Sequence, residues 1–224
     1  MRLPCLILLA SLGHSPFSMA QRTELHLFQY GRTNTPQAQA AFLDFRDLLA
    51  GNLPILAQEV SQGHTLPSVD KLKLRSVTGD DNELQRPESQ VGSLEQRRNY
   101  WRDTGALGLL TGHVSQKGNV PQIHTRFYWG TLGVDFGNES IELTLPVVGS
   151  AFDSTNDSHA VAILYALAHD TKHAKCQQIS ASLHLLSEAH KRAQAVAIER
   201  PEVGLSLTSL VESAIKKIRR DCNE

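Results

Sequence analysis

The sequence predicts an α/β fold: a mixed β-sheet with helices on one face, in the order β-α-β-α-β-β-β, followed by a C-terminal antiparallel helical segment. Three features carry that expectation. Apolar residues recur at spacings of three and four from Ala38 to Val60, the mark of an amphipathic helix. Three strand-like runs then succeed one another between Ala106 and Leu145, with turn residues between them. From Asp153 onward the period is helical alone. The chain divides accordingly into a leader, residues 1–20, an α/β domain, 21–150, and a helical segment of three helices, 151–224.

Taken in order, the first strand runs from Glu24 to Tyr30, with Leu25, Leu27 and Gln29 alternating against His26 and Phe28. Gly31 to Pro36 is turn material. The long helix that follows sets Ala38, Ala41, Phe42, Phe45, Leu49, Leu53, Leu56 and Val60 on one face. Gly51 and Pro54 are expected to kink or split it, because Pro54 has no backbone N–H to donate. Leu72, Leu74 and Ser76 make a short second strand, and the polar stretch from Thr78 to Val91 reads as an exposed loop. A second helix starts about Ser93, carries Glu95 and Gln96 early, reaches Arg102 and ends near Gly105.

The next strand, Ala106 to Ser115, is apolar on both faces, as a central strand should be. Gln116-Lys117-Gly118-Asn119 turns the chain back. Ile123, Thr125, Phe127 and Trp129 then alternate with Gln122, His124, Arg126 and Tyr128. After a Gly-containing turn, Ile141, Leu143 and Leu145 alternate with Glu142 and Thr144. In the tail, Asp153 to Asn156 offers N-cap residues. The first tail helix places Val161, Leu164, Tyr165 and Ala168 on one face, and the second carries Ile179, Leu183, Leu186, His190 and Ala193. Arg200-Pro201-Glu202-Val203-Gly204 is expected as the break before a third helix with Leu207, Leu210, Val211, Ala214 and Ile218. Short links imply antiparallel packing.

Residues 1–20 have the pattern of a cleavable secretory signal: Arg2, an apolar run from Leu3 to Leu12, and Ser18-Met19-Ala20 as a small-x-small cleavage site. The run is about half of the roughly 20 residues a membrane-spanning helix needs. Cys5 lies inside it, so the mature chain is expected to begin at Gln21 without a lipid, in the periplasm or secreted. No membrane span is expected in the mature chain. Without Arg2 there remain 21 Lys and Arg against 23 Asp and Glu, a formal charge of −2. That balance gives no electrostatic footprint for nucleic acid. The basic group Lys216-Lys217 with Arg219-Arg220 falls in the last turn of a helix, where cations complement the dipole.

Only Cys176 and Cys222 remain after cleavage, and an oxidising compartment permits their pairing. A helical hairpin turning at Pro201 would bring Cys176, at the start of one helix, near Cys222, just past the end of the other. The alternative is two unpaired thiols.

The stretch Tyr100 to Trp129, with Gly105-Ala106-Leu107-Gly108-Leu109-Leu110-Thr111-Gly112-His113-Val114 followed by a Gly turn and an aromatic strand, resembles the amino-terminal domain of the TolB family. It is similar also to the related envelope proteins of the FlgO and CsgG type. The likeness covers Glu24 to Leu145. TolB proteins continue into a β-propeller, whereas this chain has no blade repeats and ends in helices, loosely similar to a tetratricopeptide unit with Ala168 and Ala181 as small packing positions. The resemblance implies a bacterial periplasmic binding or scaffolding module and implies no reaction.

His169, His173 and Cys176 are spaced i, i+4, i+7 and would share a face of an unbroken helix as metal ligands, but a break near Thr171 and Lys172 is expected there and no carboxylate completes the set. Asp135-Phe136-Gly137 has the form of the kinase metal-binding triplet without the rest of that machinery, and reads as a turn. No Gly-x-Ser-x-Gly elbow, His-Glu-x-x-His helix or phosphate-cradling loop is present. His124, Arg126 and Tyr128 project from one face of one strand and form the candidate interaction face, a polar, partly aromatic surface or simply a solvated one. No catalytic, cofactor-binding or metal residue is assigned, and no cofactor is expected. The sequence thus points to a non-enzymatic periplasmic binding or scaffolding protein of the cell envelope with an envelope protein as partner. The alternative is a secreted hydrolase or metal-dependent enzyme whose site assembles only in three dimensions.

Overall fold

The computed structural model describes residues 23–28, 30–31, 35–62, 72–76, 91–131, 134–146, 151–172, 176 and 178–222. The expected leader, Gln29, His173 and most of the expected loop from Thr78 lie outside them. The sheet is built around β1 (Glu24–Leu27), which is flanked in parallel by β2 (Lys73–Ser76) and β3 (Gly108–Lys117). From β3 the sheet continues antiparallel through β4 (Val120–Thr131) to β5 (Val134–Pro146), giving the order β2-β1-β3-β4-β5. Parallel neighbours need crossovers, and α1 (Pro36–Ser61) and α2 (Leu94–Thr104) supply them.

As a strand, β1 is shorter than the expected Glu24 to Tyr30. Pairing continues irregularly, with the Phe28 N–H donating to the Leu110 carbonyl and the Gly31 N–H to that of Gly112. The strand is buried on both sides, so His26 and Phe28 are as enclosed as Leu25 and Leu27. Thr35 caps α1, accepting from the Ala38 N–H at 3.2 Å, with Pro36 in the first turn. Pro54 does not split this helix, contrary to expectation. Ala50 and Pro54 both lie on its exposed side, so the carbonyl that loses its N–H partner can turn to water. Ser93 and Gln96 form a reciprocal capping box at the start of α2, and Gly105 ends it in the left-handed conformation. Lys117 pairs with Val120, so Gly118 and Asn119 alone make the hairpin, with Gly118 at φ +63°. The expected turn at Asp135-Phe136-Gly137 is strand instead, because β5 resumes its ladder with β4 at Val134.

On one face of the sheet, Leu25, Leu27, Leu110, Ile123, Phe127 and Leu143 pack against the apolar side of α1 and against α3 (Ala151–Lys172). The third helix begins earlier than expected, so Asp153 to Asn156 lie within it rather than capping it. Nor is it one-sided: Ser158 to Ala168 are buried without interruption. A helix apolar all round is an interior helix, and α3 lies between the sheet and α4 (Ile179–Glu199), with α5 (Pro201–Asp221) packed antiparallel on α4. The break between them is Arg200 alone, because Pro201 opens α5 where a missing N–H is tolerated. Gly204 is therefore helical, and a Cβ there would meet the Ala197 backbone at 2.2 Å. Cys176 and Cys222 are joined in a disulfide with their Cα atoms 5.8 Å apart. On the opposite sheet face α2 lays Tyr100 and Trp101 over Phe28, Leu109 and Tyr128, a second and smaller apolar cluster.

Candidate interaction face

Two hairpins align three rows of side chains across β3, β4 and β5 on the face that α2 shares. The first row is His113–His124–Thr144, the second Thr111–Arg126–Glu142, the third Leu109–Tyr128–Ser140. The face therefore unites the three residues expected from sequence, but α2 divides them. Tyr128 is buried beneath the Arg97 guanidinium, which stands 4.2 Å from its ring centre. Arg97 is itself buried and donates to the Val91 and Gly92 carbonyls, at 3.1 and 2.7 Å. Burial pushes its pKa down, and Tyr128 opposes that shift. The first two rows reach solvent at His113, His124, Thr144, Arg126 and Glu142, while Thr111 is buried.

In the open rows the His124, Arg126 and Glu142 groups have neighbours with matching chemistry, whereas the buried Thr111 hydroxyl makes no hydrogen bond among the described residues. The His124 ring has Ser115 Oγ 2.6 Å from Nε2 and Thr144 Oγ1 3.0 Å from Nδ1. Hydroxyls donate or accept, so either tautomer and the imidazolium are all satisfied there. His113 stacks on it, ring centres 4.3 Å apart and 6° from parallel. Arg126 forms an ion pair with Glu142 and donates to the Tyr128 hydroxyl at 3.3 Å. Together these rows line a shallow depression over the strands. The Ser115–His124 spacing suits a nucleophile and its base, but the third member is the Thr144 hydroxyl, which cannot stabilise an imidazolium as a carboxylate does. Glu142, the nearby carboxylate, is held by Arg126. What the face can do is offer a guanidinium, two imidazoles and two hydroxyls to a partner.

The helical metal triad does not assemble. Cys176 is spent in the disulfide, and the His169 Nδ1 donates to the Tyr165 carbonyl at 2.8 Å while its ring stacks on Tyr165. Among the described residues no three His, Cys, Asp or Glu are grouped to hold a metal ion, and no helix is long and apolar enough to cross a membrane.

No family model matches the chain, and no curated protein does. Among solved structures the chain is similar to TolB from Acinetobacter baumannii. The identity is 12%, over 66% of this chain and 28% of that one, with a TM-score of 0.38. The chain thus spans less than a third of that protein's length.

Two buried polar groupings escaped sequence reading. In the core, the Tyr30 hydroxyl donates to Thr125 Oγ1 at 2.9 Å, and His159 Nε2 meets the same oxygen at 3.0 Å. Under α2, His26 lies between the Tyr100 hydroxyl, 2.7 Å from Nδ1, and Glu24, 3.3 Å from Nε2. A carboxylate only accepts, so Nε2 carries the proton and Nδ1 accepts from Tyr100. Burial depresses the His26 pKa below 6.5; the Glu24 hydrogen bond and charge oppose that, and Arg75 adds to it. The unfolded chain therefore takes up a proton near pH 6.5 that the folded chain refuses. Stability contributed by neutral His26 is complete above that pH and declines as pH falls through it toward the folded pKa. Urea midpoints at pH 7.5 and 5.5 should drop more for the parent than for His26→Gln. Equal drops would show that His26 titrates alike in both states.

Proposed function

We propose that this chain is a non-enzymatic binding or scaffolding module of the bacterial cell envelope, acting in the periplasm on an envelope protein. The observation that carries the reading is the open half of the sheet face, where His113, His124, Arg126 and Glu142 form a polar surface beside the half sealed by α2. The signal-like leader and the disulfide support an oxidising compartment. On this reading residues 1–20 are removed, 21–150 carry the partner face and 151–224 brace it from behind.

A photo-cross-linking side chain at exposed Ser140, used in envelope extract, should give a discrete adduct that Arg126→Glu abolishes. Adducts indifferent to that charge reversal would sink the proposal. A second reading, a secreted hydrolase, is favoured by one observation, the 2.6 Å approach of Ser115 Oγ to His124 Nε2. Labelling of Ser115 by a fluorophosphonate, lost in His124→Gln, would replace the first reading with the second.

A further inference from the structure

The edge of the sheet carries an inference that rests on the outer side of β5 and on α5, though Glu142 and Thr144 belong to the polar face as well. One side of β5 is occupied by β4 from Gln122↔Pro146 to Trp129↔Glu139, and among the described residues no strand pairs with the other side. Beside that free side runs a groove of about 590 Å³. Its floor is Ser140 to Thr144, five residues in succession. Alternate strand residues point to opposite faces, so only a strand's edge presents five in a row. Its wall is a single face of α5, formed by Glu202, Val203, Ser206, Leu207 and Leu210.

We infer that this groove receives an extended peptide from a partner protein, added to the sheet as a sixth strand between β5 and α5. The free edge offers N–H and C=O groups in alternation, which a strand satisfies and a helix cannot. Natural edges are guarded by Lys, Pro or bulges. Ser140 to Leu145 contain neither Lys nor Pro, and the one recorded irregularity of the β4–β5 ladder lies between Trp129 and Thr131. Side chains on one face of the incoming strand meet Val203, Leu207 and Leu210, so those positions are apolar. Glu142 is already paired with Arg126, so Glu202, at the end of the α5 wall, is the described acidic lining group left to meet the incoming strand, and the position beside it is basic. A second copy of β5 fits poorly, because that strand carries Asp135, Glu139 and Glu142 and no Lys or Arg.

The test uses the full chain and the probe peptide acetyl-Lys-Val-Lys-Val-Lys-Val-Lys-amide, with the Glu-for-Lys version as its counterpart. Binding followed by amide NMR and hydrogen exchange should protect the Ser140 to Leu145 backbone. Glu202→Lys and Ser206→Arg, both at exposed positions, should each weaken binding about tenfold. Leu205→Ser, on exposed α5 surface outside the groove, should leave it unchanged. The inference is overturned if protection falls elsewhere, if the acidic peptide binds as well, or if Glu202→Lys binds like the parent. It is overturned equally if the edge proves to pair with itself, seen as a concentration-dependent dimer that Ser206→Arg dissolves. Failure of the peptide leaves the Ser140 cross-link and its dependence on Arg126 intact, so the two proposals fail separately.

Discussion

Gly112→Val should destabilise the protein by about 3 kcal/mol or more, at the upper end of what overpacking does. A Cβ at this position would stand 2.0 Å from the His124 carbonyl oxygen and 2.8 Å from the Tyr30 ring. Neither neighbour can yield cheaply. The carbonyl belongs to the adjoining strand of a continuous ladder. Tyr30 is tied to Thr125 by its hydroxyl and packs against Phe42 and Phe45. The positive-φ glycines described are Gly105 and Gly118, so the demand at Gly112 is for space rather than for a special backbone. Because the first added carbon makes the clash, Gly112→Ala should also be clearly destabilised. Gly51→Ala is the contrasting substitution: it meets nothing within 4 Å, lies in a helix and should gain up to about 1 kcal/mol. Equilibrium urea unfolding of the three variants separates these cases. A Gly112→Val protein as stable as its parent would refute the packing of Tyr30 beneath β3 and β4.

What could be read from the sequence was whatever depended on neighbours along the chain. The apolar face of α1 was legible because residues three and four apart meet on a helix whatever the fold around it. Its continuity through Pro54 was not, since that depends on the lost hydrogen bond facing water. The enclosure of α3 was legible but is missed when the helix is read for a single apolar face. Ala160, Ala162 and Ala166 are ambiguous on its other side, but Ile163 and Leu167 there are apolar and fully buried. His124 and Arg126 could be placed on one face by alternation, but the covering of Tyr128 required knowing that α2 crosses there. The Tyr30–Thr125–His159 grouping spans 95 and 34 residues between partners and leaves no local signal. Strand order is likewise absent from local pattern, so nothing marked β5 as the edge.

Loss of the Cys176–Cys222 bridge is the second change expected to have a large effect. It links residues 46 apart, and the chain-entropy model gives at most about 4 kcal/mol for a loop of that size. A separate term lies in the backbone. Cys176 sits at φ 57°, in the left-handed region that costs a non-glycine residue about 1 kcal/mol or somewhat more. While that φ is held the penalty is the same with and without the bridge, so Cys222→Ser should lose the full contribution, up to about 4 kcal/mol. Adding Cys176→Gly to Cys222→Ser should return about 1 kcal/mol, because glycine holds the same backbone without the penalty. If the double variant is instead no more stable than Cys222→Ser, that φ is not maintained once the bridge is gone. Thiol titration of the denatured, unreduced protein tests the bridge itself. Two reactive thiols per chain in exported protein would remove both the disulfide and its support for an oxidising compartment.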